Sequence, residues 1–410
     1  MVAVVAAGTA TLILRPRGGL IEPTAVPAEA YFSPAQLERA DAFREPQRLI
    51  GLASVLLSAA TLGLVALRAP RPVRRLLERA AEHPARGAAL TGAGISVAIV
   101  VVGLPLAAWS HERAVDAGLS TQSLGPWLGD VAKAAGVDAA LAALGAVLAL
   151  ALVRRFSRRW WLPAAGVVVG FAVLTLYLSP IVIDPIFNKF ERLPQGQLRS
   201  DVLELSERAG VEVGEVLRVD ASRRTTAINA YVGGLGHTKR VVLYDNLIDD
   251  FPEDQVRSVV AHELGHVKHS DLPRGILWIA IVAPAGTFLL QRLTERFAAI
   301  GGLRADGRGG EARAGPEMIP ALALSLALVS FGLTCAGNVL SRQVEARADA
   351  FALETTRDPA AFIALERSLA TRNISQPDPP RLWHLVFGTH PTTIERIGYG
   401  ETHAREAGRR

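Results

Sequence analysis

The stretch VVAHELGH, residues 259–266, decides how this chain of 410 residues is interpreted. In a helix, His262 and His266 lie about 40° apart around the axis and roughly 6 Å apart along it, so both imidazoles can bind one Zn²⁺. Glu263 then points towards a water in the open fourth position and can act as its general base. The alternative is two hydrogen-bonded histidines on an ordinary amphipathic helix.

The residues around the motif predict a helix over 252–270. Acidic residues and a proline stand where the helix begins, and valines recur at helical spacing along one side. The start contains Asp249, Asp250, Pro252, Glu253 and Asp254, and the valines are Val256, Val259 and Val260. A third histidine six residues after His266 is absent, because position 272 is leucine, and this excludes the metzincin pattern.

A catalytic zinc site needs a third protein ligand, and the best candidate is Glu345. It lies in NVLSRQVEARAD, residues 338–349, where Glu345 and Asp349 are four positions apart on one helical face. Glu345 is predicted to bind the metal, while Asp349 accepts the second ring N–H of a liganding histidine and fixes its tautomer. Taken alone, the segment is equally consistent with a solvated charged helix. His269 is a poorer candidate, because three histidines on one straight helix do not easily converge.

Half of the residues are hydrophobic and 20% are charged, a balance that favours a membrane protein over a soluble one. Long apolar runs account for it, most of them near the ~20 residues that a bilayer requires. The runs are 49–67, 88–109, 139–153, 160–183, 276–290 and 318–340, with 2–14 as a shorter seventh. The single cysteine, Cys335, excludes an intrachain disulfide.

The runs and the motifs divide the chain into four parts. Residues 1–183 are predicted to hold transmembrane helices 1–5 and residues 273–340 helices 6 and 7. Residues 184–272 form the zinc-binding part with the histidine motif, and residues 341–410 form the C-terminal part with the third ligand. Each soluble part carries half of the chemistry, so the two are expected to form one catalytic domain. The last apolar run continues into the Glu345 segment, which predicts one helix of about 50 Å.

These motifs resemble the CAAX prenyl protease 1 family of integral-membrane zinc metallopeptidases. The matching segments, in chain order, are Glu112–Trp127, Pro180–Phe190, Asn229–Gly234 with Lys239–Asp245, His262–His266, Ser341–Asp349, and His390-Pro391 with Arg396-Ile397. The resemblance implies a mainly α polytopic membrane protein with about seven transmembrane helices. It also implies a gluzincin-like zinc domain that contains a small β-hairpin or sheet.

The resemblance also assigns roles near the substrate. From the residues themselves, 226–232 and 240–244 predict a β-hairpin whose exposed edge can hold an extended peptide through main-chain hydrogen bonds. By resemblance, Asn229 would contact the substrate backbone near the scissile bond, with Ala230 beside it, and His390 would stabilise the oxyanion. Pro391 is predicted to begin a helix, which would hold His390 at the helix entrance. Without the resemblance, Asn229 is equally consistent with an asparagine that satisfies a turn.

The expected protein is a multi-pass zinc metalloendopeptidase of the cell membrane that holds one Zn²⁺ per chain. Its partners would be a peptide or protein substrate and the lipid bilayer, and not a nucleic acid, since the net charge is only +5. Two alternatives stay open: a membrane quality-control endopeptidase without a prenylated substrate, and a non-hydrolytic zinc-containing receptor or transporter. Against the second, Asp138 is the one acidic residue near the apolar runs that suggests a polar path.

The loop charges bear on which side of the membrane carries the site. Loops 68–86, 154–159 and 291–317 contain fifteen Lys or Arg residues, whereas loops 15–48 and 110–137 contain seven. The positive-inside rule therefore places the catalytic residues on the outer face. Eukaryotic members of the resembled family have the site in the cytosol, so the two lines of reasoning disagree.

Overall fold

The computed structural model describes residues 2–233, 239–302 and 314–409, which form a mostly helical protein with one small sheet. The helices are α1 (Val2–Leu14), α2 (Pro34–Arg68), α3 (Arg71–Ala81), α4 (Pro84–Asp116), α5 (Leu124–Phe156), α6 (Trp161–Leu178), α7 (Asp184–Phe187), α8 (Gln197–Ala209), α9 (Asp245–Asp250), α10 (Glu253–Lys268), α11 (Asp271–Ile300), α12 (Ile319–Thr356), α13 (Pro359–Arg372), α14 (Arg381–Phe387) and α15 (Thr393–Ala407). The strands are β1 (Phe190–Arg192), β2 (Glu215–Val219), β3 (Ala230–Gly233) and β4 (Arg240–Tyr244).

Six helical stretches are long and apolar enough to cross a bilayer, and apart from Trp160 they contain the six long apolar runs of the sequence. They are Pro34–Arg68, Pro84–Asp116, Leu124–Arg159, Trp161–Phe187, Asp271–Ile300 and Pro316–Thr356. Helix α1 coincides with the seventh, shorter run and packs against α11 and α12 through Ala7 and Ala10. Many of the apolar side chains on these helices are exposed, as lipid-facing residues are. The mainly α, polytopic membrane fold is therefore confirmed.

Helix α12 continues well past the apolar run that ends at Leu340. Its 38 residues make it about 57 Å long at 1.5 Å per residue. The continuous helix carries Glu345 and Asp349 beyond the apolar run and towards the motif helix α10. Because the helix is continuous, it fixes the position of both carboxylates relative to the membrane helices.

The four strands form one mixed sheet in the order β1-β2-β4-β3. Strands β3 and β4 are antiparallel, as the predicted hairpin requires, and the turn that joins them lies outside the described residues. Strand β2 pairs with β4 in parallel and with β1 in antiparallel fashion, and neither β1 nor β2 was expected from the sequence. Among the described residues β3 pairs with β4 alone, which leaves its other edge unpaired there. Its Ala230 shares a hydrophobic core with Leu264 of α10.

The motif helix α10 begins and ends close to the predicted bounds. Glu253 and Asp254 lie in its first turn, and the helix ends where Ser270 adopts a left-handed conformation with φ 56°. At Gly265, an added Cβ would lie 3.2 Å from Phe351 and 3.3 Å from Ala348 of α12. The absence of a side chain there lets α10 and α12 approach closely along the face that carries the histidines.

A second close approach, between the membrane helices α4 and α5, yields a stability prediction. A Cβ at Gly92 would lie 2.5 Å from the carbonyl oxygen of Ala142, whereas one at Gly94 meets nothing within 4 Å. We expect Gly92→Ala to cost about 1–3 kcal/mol through overpacking. Gly94→Ala should be neutral or gain up to about 1 kcal/mol, because alanine has the higher helix propensity. Thermal unfolding of both variants in one detergent checks this, and equal melting temperatures would contradict the described packing.

Candidate metal centre

Helices α10 and α12 bring three potential metal ligands together. The Nε2 atoms of His262 and His266 are 3.3 Å apart, and Glu345 Oε2 lies 3.1 Å from the first and 3.6 Å from the second. These residues form the group of donors, among those described, whose atoms all lie within 4.8 Å of one another. The carboxylate of Glu345, from a later part of the chain, thus lies close to both imidazoles of the histidine motif.

The geometry of these donors fits a tetrahedral zinc ion. Ligand atoms that are about 2.0–2.1 Å from a shared ion at tetrahedral angles lie about 3.3 Å from one another, close to the three observed separations. Two imidazole nitrogens and one carboxylate are also a ligand set that catalytic zinc sites use, leaving a fourth position for water or substrate. Both histidines have their Nδ1 atoms occupied by other partners, which leaves Nε2 available to a metal.

The ring nitrogen of His262 that points away from the other donors, its outer nitrogen Nδ1, is held by Asp349. Its Nδ1 lies 2.8 Å from Asp349 Oδ1, and Asp349 is completely buried. Arg396 donates two hydrogen bonds to this carboxylate and a third, 2.8 Å long, to Glu366 Oε2. Burial raises the pKa of Glu366 to about 7, although the positive charge of Arg396 acts in the opposite direction. Asp349 occupies the place expected from its spacing to Glu345, and its role in fixing the histidine tautomer stays a prediction.

The outer nitrogen of His266, Nδ1, is held by Asp271, a residue that no sequence pattern indicated. His266 Nδ1 lies 3.0 Å from Asp271 Oδ2, and Arg347 of α12 forms an ion pair with the same carboxylate. Asp271 is the first residue of α11, and it reaches His266 because the chain turns sharply at Ser270. Helical spacing could not reveal this contact, since the two residues belong to different helices. His269 lies outside the donor group and places its ring edge-on to Phe351.

Glu263 faces a cleft of about 330 Å³ beside the three donors. Burial raises the pKa of Glu263 above the usual range of a glutamate, and the nearby imidazoles act in the opposite direction. Glu263 lines this cleft together with His262 of the donor group and with His390. This is the position that the motif predicts for a general base, whose action stays a prediction.

The same cleft is lined by the other residues selected from the sequence. His390 Nε2 lies 3.2 Å from Glu345 Oε2, and its side chain is 54% exposed. Asn229 is exposed at the start of β3, and its Oδ1 accepts a hydrogen bond from the N–H of Ala230. The side chain of Ala230 is buried, so any contact with a substrate would involve its main chain.

The helix after His390 begins later than the sequence suggested. Pro391 was expected to be its first residue, but α15 begins at Thr393. Thr392 is the N-cap and forms a capping box with Glu395, and this satisfies the free N–H groups of the first turn. His390 is therefore held in a short loop before the helix rather than at its entrance.

Two family models together match almost the whole chain. The model of peptidase family M48 matches residues 192–399, and the model of the CAAX prenyl protease N-terminal region, with five membrane helices, matches residues 25–189. The first match contains all three donors and Glu263, as well as Asp349 and His390. The N-terminal model covers the membrane-capable helices α2, α4, α5 and α6, together with the short helix α3.

Individual relatives agree with these matches. The uncharacterized metalloprotease YhfN of Bacillus subtilis (strain 168) is 30% identical over 309 residues, which cover 75% of this chain and 71% of that protein. CAAX prenyl protease 1 of Saccharomyces cerevisiae is 27% identical over 317 residues, covering 72% of this chain and 68% of that protein. The CAAX prenyl protease 1 homolog of Arabidopsis thaliana is 32% identical over 234 residues, covering 56% of this chain and 53% of that protein.

A solved structure has the same fold. The crystal structure of S. mikatae Ste24p matches with a TM-score of 0.74 over 97% of this chain and 98% of that chain. The sequences are 17% identical in this match, so the likeness concerns the fold alone.

The contact between His266 and Asp271 predicts an effect on metal binding. We expect Asp271→Ala to weaken zinc affinity about 10–100-fold, because the His266 ring loses the acceptor that fixes its orientation. Asp271→Asn should lie between this variant and the wild type, since an amide oxygen can still accept the hydrogen bond. The measurement is zinc retention against a competing chelator, with Glu295→Gln, an exposed carboxylate on the same helix, as control. Unchanged retention in Asp271→Ala, with the fold intact, would contradict the role.

Proposed function

The chain belongs to the CAAX prenyl protease family of M48 membrane metallopeptidases, and we propose that it is a zinc endopeptidase whose ligands are His262, His266 and Glu345. The observation that carries this proposal is the convergence of these three donor atoms from two distant parts of the chain. Further support comes from the two buried carboxylates that occupy the outer histidine nitrogens, because a zinc site needs its imidazoles held in one tautomer. We propose one Zn²⁺ per chain.

Zinc bound at these ligands supplies a Lewis acid that polarises a peptide carbonyl and makes a nearby water more acidic. The protein's own groups perform the remaining tasks. Asp349 and Asp271 keep the Nδ1 atoms of the histidines protonated and directed away from the metal. Glu263 accepts a proton from the attacking water, and a C–O bond forms at the carbonyl carbon. The same carboxylate then gives the proton to the leaving amine nitrogen as the C–N bond breaks.

His390 is proposed to stabilise the oxyanion. Its Nε2 reaches the carboxylate of Glu345, so a donor on this ring is directed towards the place where the carbonyl oxygen would lie. A hydrogen-bond donor that interacts with the negative charge only as this charge develops in the transition state lowers the activation barrier without binding the substrate more tightly. In the absence of substrate the ring is half exposed, which leaves it room to adjust when a peptide enters.

The substrate is proposed to lie along the free edge of β3. This strand shares a core with the motif helix α10, and its main-chain groups on the side away from β4 are available to an added strand. Asn229, at the start of the strand, would contact the substrate backbone near the bond to be cut. Such main-chain recognition tolerates many side chains, so the nature of the substrate depends on the membrane helices around the site.

The residues around the metal do not separate a prenylated CAAX substrate from other membrane peptides. We propose a membrane-associated peptide substrate, since the site is joined to the spanning helices through α12. Comparison of membrane proteomes with the wild type and with the Glu263→Gln variant identifies uncut precursors. Precursors with prenylated C-termini would support CAAX processing, whereas damaged multi-pass proteins would support quality control.

The role of Glu263 has a direct test. Glu263→Gln preserves the size of the side chain and leaves the three proposed ligands in place, but an amide cannot accept the proton. We expect zinc content and melting temperature to match the wild type while peptide cleavage is lost. Glu204→Gln on α8, an exposed carboxylate far from the metal, serves as the control and should cut normally. Cleavage by the Glu263→Gln variant at a comparable rate would remove the base assignment.

The charge distribution predicts that the site faces outward. In a Cys335→Ser background, Asp116→Cys lies at the end of α4 on the side of the metal centre, and Glu82→Cys lies just after α3 on the opposite side. A membrane-impermeant maleimide added to intact cells should label Asp116→Cys and leave Glu82→Cys unlabelled until the cells are opened. The reverse labelling would place the site in the cytoplasm.

A further inference from the structure

The short helix α14, RLWHLVF, exposes apolar side chains that no other part of the described protein covers. Leu382 is 78% exposed, Leu385 54% and Phe387 37%, and none of the seven residues is buried. In a water-soluble domain, three neighbouring apolar side chains on one short helix would be an unfavourable surface. Their exposure therefore points to an apolar environment next to this helix.

The contacts of α14 place it beside the apolar runs of two membrane helices, α2 and α12. The guanidinium of Arg48, just before the apolar run of α2, lies 5.9 Å from the ring centre of Trp383. The ring centres of Phe387 and Phe331 are 6.3 Å apart, and Phe331 lies within the apolar run 318–340 of α12. Slightly farther along α12, Asn338 donates a 2.7 Å hydrogen bond to the carbonyl oxygen of Val386.

Exposed apolar side chains of these two helices flank α14. Leu52 and Val55 follow Arg48 on the same face of α2 and are 41% and 44% exposed. Phe331, which contacts α14 from the side of α12, is 47% exposed. The helix also carries the residue types of a membrane interface, with a tryptophan, an arginine and a histidine among its apolar residues.

We propose that α14 is an interfacial helix that lies in the boundary region of the lipid bilayer, with Leu382 and Leu385 in contact with lipid. The bilayer is the partner favoured by the contacts, because α14 touches α2 at the start of its apolar run and touches α12 both within its run, at Phe331, and near the end of that run, at Asn338. Protein or substrate on this surface is the competing outcome, and the experiment below separates it from lipid.

The position of α14 links the bilayer to the loop that carries His390. Arg342 Nη1 donates to the carbonyl oxygen of Gly388 at 2.6 Å and to that of His384 at 3.3 Å, which ties the end of α14 to α12. The ring of His384 donates from Nε2 to the carbonyl oxygen of His390 at 2.8 Å. Lipid contact with α14 would thus hold the loop 388–390 in place. The importance of this link for catalysis rests on the proposed function, whereas the lipid contact itself does not.

The lipid contact is tested with a fluorophore on single cysteines. In a Cys335→Ser background, Leu382→Cys and Leu385→Cys are labelled with bimane and reconstituted into phosphatidylcholine–phosphatidylglycerol vesicles. Nitroxide-labelled lipid should quench the bimane fluorescence of both variants as strongly as that of labelled Leu56→Cys, a position that is 60% exposed on α2. It should quench both far more than labelled Glu204→Cys on α8. Strong quenching by aqueous iodide without quenching by nitroxide lipid, or protection from both, would overturn the proposal.

The coupling to His390 is tested without measuring activity. In the same vesicles, the double variant Leu382→Ser, Leu385→Ser should raise amide hydrogen exchange in residues 388–390 severalfold, with zinc content and melting temperature preserved. Leu76→Ser on α3, also an exposed leucine, should leave that segment unchanged. Equal exchange in the double variant and the wild type would show that lipid contact does not hold the loop. These readouts stay informative even if Glu263→Gln shows that the proposed reaction is wrong.

Discussion

The packing of α10 against α12 is the constraint on which the rest of the catalytic part depends. The two imidazoles come from one helix and the carboxylate of Glu345 from the other, and a shift of either by one residue would separate the donors. Gly265 lets the two helices approach closely, since a larger side chain would meet Phe351 and Ala348. Because α12 is also a membrane-spanning helix, the same contact joins the bilayer-embedded part to the catalytic part.

The Nδ1 atom of each histidine at the metal centre contacts a carboxylate, and each of these carboxylates forms an ion pair with an arginine. Asp349 is bonded to Arg396, and Asp271 is bonded to Arg347. Buried charges are costly unless they are paired, so each arginine stabilises a carboxylate that is largely removed from water. The arrangement therefore holds both rings while the negative charges of Asp349 and Asp271 are compensated. Glu366 adds a second acidic partner for Arg396, with a pKa raised by burial.

The sequence alone predicted those features that depend on short-range spacing. The histidines four positions apart, the acidic start of α10, the apolar runs and the Glu345–Asp349 pair all follow from helical periodicity. Asp271 and Arg347 could not be found in this way, because their contact depends on a chain reversal at Ser270 and on the approach of a third helix. Strand β1 has only three residues, too few to show an alternating pattern, and it is defined by its pairing with β2. The start of α15 was misplaced by two residues because Thr392 and Glu395 cap the helix more effectively than Pro391 begins it.

The central claim, that two distant soluble stretches share one zinc ion, is tested most directly by anomalous X-ray scattering at the zinc absorption edge from crystals of the purified protein. A single peak about 2.0–2.2 Å from both Nε2 atoms and from a carboxylate oxygen of Glu345 is the predicted result. The absence of a peak between the helices, or a peak bound by the histidines with Glu345 turned away, would contradict the account.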